Sequence, residues 1–96
     1  VKIFQIPEEI ADKYHGAGFA LGAVKGDVLQ EFVYLHDVID GFDGEQLDEA
    51  MKTLSDNGGK FAPVFKRLDA LGDIHLGMCS CWEFVALINA NGSESL

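Results

Sequence analysis

The densest run of reactive side chains in the chain is Gly77-Met78-Cys79-Ser80-Cys81-Trp82-Glu83-Phe84, which brings together two thiols, a hydroxyl, a thioether and an indole. A nucleophilic enzyme would need Ser80 or a cysteine beside a histidine oriented by an acid, and His15, His36 and His75 are the histidines available. No glycine follows Ser80, so the run misses the Gly-x-Ser-x-Gly elbow. His75, Cys79 and Cys81 fit no zinc spacing, because paired ligands of structural sites are usually separated by two to four residues. Asp37, Asp40 and Asp43 stand three apart, where a calcium loop places ligands at every second position. Glycines 16, 18 and 22 lack the Lys-Ser or Lys-Thr pair and the following helix of a phosphate loop, and suit instead a strand crossed closely by another element. No catalytic residue, metal or other cofactor is expected. Plain structural roles also account for the run, with Ser80 as a turn residue, both cysteines as small buried hydrophobes and Trp82 as a core anchor. The two thiols are one residue apart, too close for an unstrained disulfide, and are expected to be reduced.

Charge narrows the choice of partner. Sixteen Asp and Glu against seven Lys and Arg give a formal charge of −9, which repels nucleic acid and anionic membrane and favours a basic protein surface. Asp37, Asp40, Asp43, Glu45, Asp48 and Glu49 fall in one stretch without a Lys or Arg. Such a run is either a solvated face or an electrostatic docking patch, for which Asp37, Asp40, Asp43 and Glu45 are the candidates. No segment approaches the length of a membrane span and the chain opens without a basic-then-apolar leader, so a cytoplasmic location is expected.

The elements that must position these groups are readable from periodicity. At 96 residues, with 48% hydrophobic residues, the chain suits one globular domain. Residues 1–6 alternate as a strand ended by Pro7, and 8–13 read as a connection or a single helical turn. A hairpin is expected from strands near 17–24 and 28–36, turning at Lys25-Gly26-Asp27. After Gly44, Leu47, Ala50, Met51 and Leu54 recur at helical spacing, with Asp43 as the N-cap and a stop at Asn57-Gly58-Gly59. A second stripe, Phe61, Val64, Phe65, Leu68 and Leu71, places Pro63 near the first turn and ends at Gly72. Ile74, Leu76 and Met78 then share one face of a short strand, and Trp82, Phe84, Ala86 and Ile88 one face of a longer, centrally placed one. The expectation is a single α+β domain over residues 1–90, with about five mostly antiparallel strands and two short α-helices, and a frayed tail at 91–96.

These residues carry a family likeness. The stretch from Gly77 to Leu87 resembles the C-terminal signature Gly-Met-Ala-Ser-Cys-Trp-Glu-Phe-Val-Glu-Leu of the broad-spectrum type II-C anti-CRISPR proteins of the Neisseria type. Tyr14-His15-Gly16-Ala17-Gly18 resembles that family's Tyr-Asp-Gly-Cys-Gly, Tyr34-Leu35-His36-Asp37 its Tyr-Leu-Arg-Asp, and Phe42-Asp43-Gly44 its Tyr-Asp-Gly. The blocks keep their order and near-constant spacing over roughly residues 14–87.

The resemblance implies a non-enzymatic inhibitor, monomeric and encoded by a phage or mobile element. It would bind the HNH nuclease domain of a type II CRISPR effector and block cleavage while target DNA stays bound. It further implies that Ser80 and Cys81 meet the catalytic groups of that domain, with Met78 and Cys79 beside them, and that the chain touches no nucleic acid or membrane. The alternative is an acidic interaction module, an antitoxin or a DNA mimic, acting through 37–49. Two departures stand out: Ala17 replaces the family's cysteine, and Cys79 replaces its alanine.

Overall fold

A computed structural model of the chain describes residues 2–11, 17–80 and 82–90. Cys81, His15 and the tail expected at 91–96 lie outside them. The elements run β1 (Lys2–Gln5), α1 (Glu8–Ala11), β2 (Gly18–Lys25), β3 (Val28–Tyr34), α2 (Leu35–Val38), α3 (Leu47–Asp56), α4 (Gly58–Asp69), β4 (Asp73–Ser80) and β5 (Glu83–Asn89). The five strands form one antiparallel sheet in the order β1-β5-β4-β2-β3, the α+β architecture expected, with β5 between two neighbours.

Strand alternation gives the sheet two apolar faces, each with its own core. Phe19, Leu21, Ala23, Val33, Ile74 and Leu76 point to the face covered by α3 and α4, where Ala50, Leu54, Phe61, Phe65 and Leu68 meet them. Phe4, Ala20, Val24, Phe32, Tyr34, Cys79, Phe84 and Ala86 fill the opposite face. Ile10 of α1 packs against this second core, and the sheet curls around it. Edge strands β1 and β3 come into contact, and Lys2 of β1 pairs with Asp27 in the β2–β3 turn at 3.0 Å. Curling brings the two free edges together over Phe4 and Phe32, which hides much of the backbone that an open edge would expose.

Phe84 explains two glycines. A Cβ on Gly22 would meet the Phe84 ring and the Leu29 methyl at 2.9 Å, and one on Gly77 would run into both that ring and the Val85 carbonyl. The close approach expected along β2 is therefore a phenyl ring lying across β4 and β2.

Several boundaries differ from expectation for identifiable reasons. The strand expected to reach residue 36 stops at Tyr34, because Leu35 opens a helical turn closed by the Ile39 N–H donating to the Leu35 carbonyl at 2.9 Å. Helix α3 takes Gln46, not Asp43, as its N-cap. The Glu49 carboxylate accepts from the backbone N–H of Gln46 at 2.9 Å and of Glu45 at 3.1 Å, completing a capping box that starts the helix at Leu47. Gly58 and Gly59 do not separate the helices but open α4, since the Asn57 carbonyl already accepts from Lys60 and Phe61. Pro63 consequently lies inside α4 on an exposed position, and Leu71, expected in the core, is 37% exposed beyond the helix end. A register shift between Leu76 and Gly77 in the β4–β5 ladder turns Ile88 to the helix-covered face, away from Phe84 and Ala86.

Candidate functional site

The β4–β5 hairpin presents the residues singled out by the sequence at one end of the sheet. Ser80 is the last residue of β4, exposed and paired with Glu83, the first residue of β5. Glu83 is in turn opposite Gln5 of β1, so Gln5, Glu83 and Ser80 form a polar row across three strands. The Gln5 amide donates to the Glu83 carboxylate at 3.5 Å. The next row inward, Ile3, Val85 and Met78, is apolar and incompletely covered, with Ile3 56% exposed. Ser80 thus stands exposed at the rim of a partly apolar sheet surface.

Trp82 corrects the sequence reading. It was expected in the core, yet it is 56% exposed at the hairpin tip, held there by its backbone carbonyl accepting from the Ile6 N–H at 2.7 Å. An indole left in water two residues from the exposed Ser80 has the character of a binding anchor, because Trp buries more area per rotamer lost than most residues.

Cys79 is the opposite case. It was placed among the partner contacts, but alternation along β4 sends it into the core beneath the sheet, fully buried among Tyr34, Phe84 and Ala20. Burial pushes its thiol up to about 12 from 9.0, with a hydrogen bond to the Tyr34 side chain pulling the other way. Such a group is neutral, inaccessible and unreactive, which leaves no nucleophile or redox thiol at position 79. A partner cannot touch it while the sheet is intact.

Met78 is half-buried and faces a groove of about 450 Å³ lined by Ala17, Gly18, Phe19, His36, Phe42, Asp43, Gly44, Glu45 and Met78. His36 stacks on Tyr34 with ring centroids 4.7 Å apart, and its Nδ1 lies 3.3 Å from the Asp37 carboxylate. The acidic run is not one uniform patch. Glu49 is committed to the α3 cap and Asp48 accepts from the Glu49 N–H at 3.0 Å, whereas Asp37, Asp40, Asp43 and Glu45 are exposed. Two of these four, Asp43 and Glu45, line the groove beside Met78. The sequence marked Met78, Asp43 and Glu45 separately but missed the groove, whose lining also takes His36 from α2 and Phe42 from the segment after it.

His75 lies far from this end, near the start of β4, with its ring 6.5 Å from that of Phe4 in a second cavity of about 400 Å³. Its pKa is lowered by burial, with Asp73 raising it and Lys2 lowering it further. His75 and Ser80 sit at opposite ends of the strand, and His36 is engaged with Tyr34 and Asp37, so no triad is assembled among the described residues. Nor do three or more His, Cys, Asp or Glu side chains converge to hold a metal ion among them. No helix among the described residues is long and apolar enough to cross a membrane. No protein-family model matches the chain, and no curated protein matches it.

Proposed function

We propose that this chain is an anti-CRISPR inhibitor that acts in the bacterial cytoplasm by binding the HNH nuclease domain of a type II effector. The observation that carries the reading is the exposed end of the β4–β5 hairpin, where Ser80 and Trp82 face solvent within the stretch that resembles the family signature. A serine hydroxyl both donates and accepts, so it can satisfy an imidazole nitrogen or a carboxylate of a nuclease centre, and the neighbouring Cys81 thiol adds a weak donor. Covering those groups removes the base and the metal-binding carboxylate needed to activate water. Target recognition is a separate step in these effectors, and cleavage further requires the HNH domain to swing onto its strand, so a bound domain blocks cutting without displacing DNA. The charge of −9 draws the chain toward a domain that naturally binds DNA, and needs no catalytic contribution from the inhibitor itself.

The experiment compares DNA cleavage and DNA binding by a type II-C effector with parent chain and with Ser80→Ala/Cys81→Ala. The parent is expected to stop cleavage and spare binding, and the folded double variant to lose at least about tenfold in potency. Equal potency of the two chains contradicts the site assignment. Loss on charge reversal at Asp40, Asp43 and Glu45, with no effect at 80 and 81, would favour the acidic-module reading instead.

A further inference from the structure

We infer, building on the HNH reading, that the groove beside Ser80 seats one basic side chain, arginine or lysine, projecting from the surface of the HNH domain. The groove is two-natured. Its floor is apolar, made by Phe19, Phe42 and Met78, while the carboxylates of Asp43 and Glu45 stand on its lining. Neither carboxylate has an ion-pair partner among the described residues, although Glu45 uses its backbone N–H on Glu49.

This combination selects its occupant. A purely apolar side chain would fill the floor but strip water from two unpaired carboxylates, which is costly. An acidic one would be repelled. Arginine and lysine match both halves, since their aliphatic stems lie against apolar surface while the head group stays at the polar mouth. Arginine has the further option of stacking its planar head on Phe42 while forming forked hydrogen bonds to a carboxylate.

Position ties the groove to the proposed plug. Met78 is two residues before Ser80 on the same face of β4, roughly 7 Å away by strand geometry. Gly18, another lining residue, is the direct cross-strand neighbour of Cys79. A single domain covering Ser80 must therefore also cover the groove. A DNA-binding surface is rich in the side chains that would enter it.

The test measures affinity for isolated HNH domain with the parent, with Asp43→Asn/Glu45→Gln, and with Asp69→Asn/Asp73→Asn. The last variant removes the same charge near the far end of the sheet, where both residues line a shallow depression beside Gly26. Groove neutralisation is expected to weaken binding about tenfold and the distant control less than about twofold, at equal salt and with both variants folded by circular dichroism. Alanine replacement of the seated HNH residue should then weaken the parent complex but not further weaken that of the groove variant. If both neutralised variants bind alike, or if no basic residue of the domain couples to the groove, the groove inference is overturned while HNH binding stands. If the parent does not bind the domain at all, both readings fall.

Discussion

Neighbouring residues of the hairpin have opposite fates because a strand sends alternate side chains to opposite faces. Ser80 reaches solvent and Cys79 the core, and the difference is measurable. In the native protein Cys79 should resist alkylation, becoming reactive only when the chain is unfolded in denaturant; rapid modification of the folded chain at position 79, mapped by mass spectrometry, would contradict its burial. The raised pKa also fixes a pH dependence. Folding favours the protonated thiol, so its contribution to stability is complete below pH 9 and is lost progressively as pH rises toward about 12. Urea midpoints of the parent should fall across that window more steeply than those of Cys79→Ala. The alternation of Ile74, Leu76 and Met78 was legible and puts Cys79 on the other face, but the family likeness had set Cys79 among the partner contacts. Trp82 was not legible, because its apolar body suggested burial, whereas its carbonyl is tied to the Ile6 N–H and its side chain stands in solvent.

Elements were readable where a single periodicity ruled and obscure where tertiary contacts set the ends. The stripes Leu47–Leu54 and Phe61–Leu68 gave both long helices, and the alternation of 74–78 gave β4. The N-cap of α3 was placed at Asp43, three residues early, because only the reach of Glu49 back to Gln46 and Glu45 fixes where the helix starts. Glu49→Ala should therefore destabilise the domain by about 1 kcal/mol in urea denaturation, the usual worth of a helix cap, while Asp43→Ala should leave stability unchanged. Gly77 is the more severe test of packing. With Val85 backbone and the Phe84 ring occupying the space of its absent Cβ, Gly77→Ala should cost at least about 2 kcal/mol, as overpacking of a close-packed core does. A neutral Gly77→Ala would mean that β4 and β5 are less tightly apposed than described. The bulge that redirects Ile88 left no mark in the sequence, since Leu87 and Ile88 are both apolar and either can face the helices.

At the scale of the molecule, two cores stabilise one curled sheet, Ser80 and Trp82 are exposed at its β4–β5 end, and Asp43 and Glu45 line the groove beside Met78. The scaffold buries Cys79 and most of its phenyl rings, while Ser80, Trp82, Asp43 and Glu45 stand exposed to solvent. Because the charge is long-ranged and the Ser80 contact short-ranged, raising salt should slow association with a basic partner more than it speeds dissociation, which stopped-flow binding can separate. The most direct test of the central claim is gel filtration of the chain with purified HNH domain of a type II-C effector at micromolar concentration. Co-migration as one complex, abolished by Ser80→Ala/Cys81→Ala, is the predicted result. Independent migration of the parent chain and the domain would contradict it.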